Sequence, residues 1–217
     1  MLFVLACGSS QAQADSFLDA DAAGKKIADY WATQEYKAQL SKAFGETPAS
    51  IINRCSTLKM SPVAVYFLDH FGVNDGGGLK SGAWKESYGF SGCGNDSILN
   101  FIFQISAQQT INLITALPGE SRSSSVLQQD TLPNVITAVH VQNKTPCDNI
   151  EIINTTVATI NNKKLQRLDP ETVVASKPWY EVWTVAACGR KLLVPVQFIP
   201  DATGTGFNIV ATDIIEQ

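Results

Sequence analysis

The chain reads as an α+β protein built from two internally duplicated helix-plus-antiparallel-sheet units behind an N-terminal helical segment, stapled by two disulfides. Three observations predict this. First, Ser81 to Phe103 and Ser176 to Phe198 superpose at a constant offset of 95 residues. The overlay matches Trp84 with Trp179, Glu86 with Glu181, Cys93 with Cys188, Gly94 with Gly189 and Phe103 with Phe198. Tyr88 falls on Trp183, and Phe90, Leu99 and Phe101 fall on Val185, Val194 and Val196. Second, both copies carry the period-two alternation of strands around a central Cys-Gly turn. Third, each half owns one early and one late cysteine: Cys55 with Cys93, and Cys147 with Cys188.

Residues 1–14 read as a signal peptide, with an apolar core at Leu2 to Ala6 and an Ala12-Gln13-Ala14 cleavage site; the usual basic n-region is missing. A competing reading takes Val4-Leu5-Ala6-Cys7 as a lipoprotein box with a lipid anchor on Cys7. No other stretch approaches the roughly 18 apolar residues that a membrane span needs. The protein is therefore expected to be periplasmic or secreted.

Residues 15–45 form the N-terminal helical segment. Ala, Lys and Gln favour helix from Asp21 to Phe44, and Tyr36, Leu40 and Phe44 share one face. Ile27 and Trp31 are out of phase with that face, which predicts a bend, two helices, or a helix covered on two sides. Gly45 ends the segment and Thr47-Pro48 opens a short helix toward Cys55.

The first repeat unit spans residues 46–117. It contains a strand at Pro62 to Leu68, a glycine-rich loop at Asn74 to Gly78, the hairpin across Cys93-Gly94, and a third strand near Thr110 to Leu113. The loop lacks the Lys-Ser/Thr of a phosphate-binding motif. Residues 118–130 are serine-rich and connect the halves. The second unit, residues 131–217, opens with a short helix at Asn134 to Val141 after Pro133. Strands follow at Glu151 to Ile160, Tyr180 to Ala187, Leu192 to Phe198 and Thr205 to Ile209. Pro195 cannot donate to a ladder, which places its strand near an edge or turns that position outward. The two units are expected to form one compact body.

Export makes disulfides the natural use of the four remaining cysteines, and the duplication selects Cys55–Cys93 and Cys147–Cys188 among three connectivities. A metal site is a poor rival, because no pair has C-x-x-C spacing and the two histidines, His70 and His140, stand apart. No cofactor motif is present. A net charge of −4 without a basic run argues against a nucleic-acid partner.

Catalytic candidates are few. Gly89-Phe90-Ser91-Gly92 departs from a nucleophile elbow where Cys93 replaces the required glycine. Asp69 and His70 are adjacent in an extended segment, so they point to opposite faces and cannot relay a proton to each other. Glu86 and Glu181 recur at matching positions inside apolar strands. Brought together by pseudo-twofold symmetry, they would make a paired-carboxylate site for acid–base chemistry. Trp84, Trp179 and Trp183 are candidates for a ligand-stacking surface, against the alternative of core packing. Two functions follow: a non-enzymatic exported protein that binds a protein partner or a small ligand, or an extracytoplasmic hydrolase using Glu86, Glu181 or His70. The lack of a nucleophile constellation favours the first.

Overall fold

The computed structural model describes residues 18–52, 55–92, 96–142, 147–161, 164–168, 176–202 and 204–217. Residues 1–14, Cys7 and Cys93 lie outside the described residues, and with them the signal peptide, the lipid anchor and the Cys55–Cys93 pairing. Cys55 Sγ itself lies 3.7 Å from the Gly92 carbonyl. The architecture is α+β: three helices and several antiparallel sheets.

The N-terminal segment forms two helices, α1 (Ala20–Trp31) and α2 (Gln34–Glu46). Asp19 caps α1 through the Ala22 amide and Thr33 caps α2 through the Tyr36 amide. The Thr33 hydroxyl also donates to the Tyr30 carbonyl, so one residue closes one helix and opens the next. The short helix expected after Pro48 is a single turn, in which the Ile51 and Ile52 amides both donate to the Pro48 carbonyl.

The first sheet runs β1 (Lys59–Phe67), β4 (Ala83–Ser91), β5 (Ser97–Ile105), β6 (Ile111–Thr115) in that spatial order. Between β1 and β4, the short pair β2 (Gly72–Val73) and β3 (Leu79–Ser81) flanks the glycine-rich loop. Asn74 closes that loop with its side chain and backbone, accepting from Gly77 and Gly78.

The second sheet is built on β7 (Ile150–Asn161), β9 (Trp179–Ala187), β10 (Arg190–Pro200) and β11 (Thr205–Ile209). The short strand β8 (Lys164–Arg167) pairs with the end of β7, and β12 (Ile215–Glu216) pairs with β10. Pro195 thus belongs to an interior strand, not an edge. Outside it, β11 pairs with Val196 to Pro200 and β12 with Leu192 and Leu193, so the residue without an N–H sits in the gap between two partners.

The second half of the serine-rich stretch, residues 125–130, is helical. Helix α3 runs Ser125–Gln142 with Pro133 inside it, where a helix starting near Pro133 was expected. Ser124 supplies the cap, accepting from Leu127 through its side chain and from Gln128 through its carbonyl.

One apolar cluster joins Ile27, Tyr30 and Tyr36 to Trp84, Phe101 and Phe103; a second joins Val135 and Val139 of α3 to Trp183, Val194 and Phe198. Each sheet is therefore covered on one face by helix. Between the sheets, Gly119 bridges to Thr155 of β7 while its amide donates to Ile98 of β5. Its φ of +97° is open to glycine, and a Cβ there would lie 2.1 Å from the Thr155 carbonyl oxygen. Asn100 completes the junction by donating to the Leu117 and Gly119 carbonyls.

Candidate functional site

The period of two along β4 places Trp84, Glu86 and Tyr88 on one face, and along β9 it does the same for Trp179, Glu181 and Trp183. Each glutamate is clamped by its neighbours two residues away. Trp84 Nε1 donates to Glu86 Oε1 at 2.7 Å and the Tyr88 hydroxyl donates to Oε2 at 2.8 Å. In β9, Trp179 Nε1 donates to Glu181 Oε1 at 3.2 Å and Trp183 Nε1 donates to Oε2 at 3.1 Å. Trp84 stacks on Phe103, and Trp179 on Phe198, each at 5.0 Å between ring centroids.

The remaining donors come from the covering layer. Trp31, the last residue of α1, donates its indole N–H to Glu86 Oε1 at 2.6 Å, and the Tyr36 hydroxyl reaches Oε2 at 2.6 Å from the first turn of α2. The Tyr36 and Tyr88 hydroxyls also lie 2.7 Å apart. Glu181 instead takes the Ser121 hydroxyl and the Arg122 and Ser123 amides, all from the connection that leads into α3.

With side chains 1 % and 0 % exposed, Glu86 and Glu181 have all four lone-pair directions occupied by protein donors. That arrangement fastens helices to sheets and leaves no oxygen for a substrate. The two clamps sit in separate apolar clusters and share no residue among the described residues, so the expected paired-carboxylate site does not form.

The tyrosines around Glu86 hold their protons tightly. Burial, aided by the Glu35 and Glu86 carboxyls, pushes Tyr30 up to about 12. Tyr88 also rises to about 12: burial raises it, Tyr36 lowers it and Glu86 raises it further. Tyr36 moves upward as well, first by burial and then through its hydrogen bond to Glu86. A folded pKa above the unfolded value of about 10 gives stability that is complete below pH 10 and lost as pH rises toward 12. Thermal melts between pH 8 and 12 are expected to show Tm falling from about pH 10. A flat profile through that window contradicts the arrangement.

The other candidates do not converge. Trp84, Trp179 and Trp183 are buried, which corrects the stacking-surface reading: their rings are packed and their N–H groups are committed to glutamate. His70 is exposed beyond the end of β1, in a groove with Leu18, Phe67 and Phe71. The register sets Ser91 opposite Lys59 and Trp84 opposite Phe67, so Ser91 sits at one end of β1 and His70 follows its other end, with the paired length of roughly 23 Å between those ends. They form no relay.

Among the described residues no group of three or more His, Cys, Asp and Glu side chains is placed to hold a metal ion, and no helix is long and apolar enough to cross a membrane. The Cys147–Cys188 disulfide is formed. Two surface features remain. An open cleft of about 350 Å³ between the sheets is lined mainly by polar groups, including Ser61, Asp96, Glu120, Asn154 and Arg167. The other feature is β1 itself. Met60, Val63, Val65, Tyr66, Phe67 and the following Leu68 are 42–55 % exposed, on an edge strand whose outer side pairs with no described strand.

Sequence reasoning missed this feature because an apolar run reads as an interior strand; the run Val63 to Leu68 was its only signal. It also missed Trp31, Tyr36 and Ser121 to Ser123 as glutamate partners, although an out-of-phase Trp on a polar helix was the clue to the first. No family model, curated protein or solved structure matches this chain.

Proposed function

We propose that this is an exported, non-enzymatic binding protein whose contact surface is the free edge of β1, and that it arose by duplication of one helix-plus-sheet unit. The observation that carries the binding reading is the exposed apolar edge strand. A long, unpaired strand with large apolar side chains on both faces is a liability in an isolated protein and a template for an added strand in a binding protein. The Leu2 to Ala14 pattern and the Cys147–Cys188 bond favour an oxidising compartment. The common strand order of the two sheets, the Trp–Phe stacks and the Trp-x-Glu clamps support duplication. The repeat units at 46–117 and 131–217 then carry the two sheets within one compact body, with the 118–130 connection stitched to both.

The hydrolase reading ranks second because Glu86 and Glu181 are sealed. A small ligand would have the inter-sheet cleft, which lacks the apolar enclosure usual for such sites.

The variant Val65→Lys, altered only at an exposed position, is expected to melt like the parent. With both proteins immobilised against an extracytoplasmic extract of the native host, a partner should be retained by the parent and lost by the variant. Amide exchange at Val65 and Phe67, whose N–H groups face away from β4, should slow in the retained complex. Equal retention by both, or a complex that leaves those amides unprotected, removes β1 as the contact surface.

A further inference from the structure

Resting on the reading of β1 as the contact surface, we infer that its occupant is a second copy of this chain, added antiparallel across a twofold axis. The strand divides at a bulge between Pro62 and Ala64. On the near side, Pro62 and the bulge interrupt any regular outer ladder. Beyond it, Ala64, Val65, Tyr66 and Phe67 pair in unbroken register with Ser87, Glu86, Lys85 and Trp84. Their outer side is the open ladder. Antiparallel self-pairing centred on Tyr66 sets each Val65 against the other copy's Phe67, so the same surface serves both partners.

Charge permits this pairing. The chain carries a net −4, which opposes self-association in general, yet Met60 to Leu68 holds no ionisable charge at neutral pH. Lys59 opens the strand at the far side of the bulge, and the Lys85 Nζ lies 4.7 Å over the Tyr66 ring. In the paired arrangement the two β4 backbones stand three strand spacings apart, roughly 14 Å; each ammonium reaches inward over its own Tyr66 ring, and salt screens the repulsion between them.

The available area sets the strength of the contact. Val65 and Phe67 lie on the face that carries Trp84 and Glu86, where α1 and α2 cover the inner strands but leave β1 bare. On the paired half, the half-exposed side chains of Val65, Tyr66, Phe67 and Leu68 present at most roughly 350 Å² per copy, or about 700 Å² across the pair, the size of a weak, transient contact. The association is therefore expected to be weak and reversible.

Sedimentation of the full chain at concentrations up to roughly 200 µM is expected to show a reversible monomer–dimer equilibrium, with Val65→Lys raising Kd by about tenfold or more at unchanged Tm. Under mild oxidation, Tyr66→Cys is expected to form a disulfide-linked dimer while Ser61→Cys, away from the axis, stays monomeric. A parent protein that remains monomeric throughout overturns the second copy as occupant, as does a dimer whose Kd ignores Val65→Lys. If that monomeric parent still retains a different protein through β1, the contact surface stands and only its occupant changes; if β1 substitutions alter neither retention nor assembly, both readings fall.

Discussion

Glu181→Gln is expected to destabilise the protein by about 3 kcal/mol, while Glu86→Gln costs under about 1 kcal/mol. The two glutamates occupy matching positions, are equally buried, and are both clamped from residues two before and two after. What separates them is whether their donors can turn round. A glutamine keeps one acceptor oxygen and replaces the other with an NH₂ that can only donate.

At Glu86 the two indole N–H groups, from Trp31 and Trp84, both converge on Oε1, and the two hydroxyls, from Tyr36 and Tyr88, both converge on Oε2. Glutamine can aim its oxygen at the indoles and its NH₂ at the hydroxyls, which accept as readily as they donate. The Tyr36 hydroxyl can then donate to Tyr88, and only the half-buried Tyr88 hydroxyl has to turn toward solvent.

At Glu181 the sides are not separable in this way. Oε1 receives Trp179 Nε1 and the Arg122 and Ser123 amides, while Oε2 receives Trp183 Nε1 together with the Ser121 hydroxyl. Either orientation of the glutamine turns its NH₂ against at least one N–H that cannot accept. Each buried donor left without an acceptor costs about 1–3 kcal/mol. Urea denaturation of both variants measures the difference directly; Glu86→Gln proving as costly as Glu181→Gln would falsify the hydroxyl-versus-indole account.

This asymmetry also marks where sequence reading stops. Alternation along Trp84-x-Glu86-x-Tyr88 and Trp179-x-Glu181-x-Trp183 is a local property of a strand, so the shared face and the hairpins on either side were legible from periodicity. The donors that complete each clamp come from α1, α2 and the stretch before α3, at separations of 50 to 60 residues, and no local pattern encodes them. The same division explains β1. Its strand character followed from Val63 to Phe67, but its place at the edge depends on sheet order, which is tertiary. Just past the serine-rich stretch, Pro133 signals a helix start because proline suits the first turn. The helix instead begins at Ser125, where Ser124 supplies a cap that composition alone made look like loop.

Opening the Cys147–Cys188 disulfide is expected to cost about 4 kcal/mol, a Tm loss of roughly 8–16 °C. The bond spans 41 residues, and in the chain-entropy account the constraint it places on the unfolded chain grows with the logarithm of that span. It joins the segment before β7 to the turn between β9 and β10, and so ties together the sheet's central three strands. Its effect cannot be read from a single serine substitution, because Cys188 has a second role. With φ of 49°, followed by Gly189 at 82°, it occupies the first position of a two-residue turn between the paired Ala187 and Arg190. That geometry strains most side chains but accommodates asparagine. Once the bond is absent, nothing covalent holds residue 188 in the left-handed region. The double variant Cys147→Ser/Cys188→Asn should therefore be more stable than Cys147→Ser/Cys188→Ser by about 1 kcal/mol, while both fall well below the parent. Melting curves of the three proteins separate the two contributions. If the asparagine and serine variants melt together, the turn carries no strain at Cys188; if both melt with the parent, the disulfide contributes nothing to the stability of the second sheet.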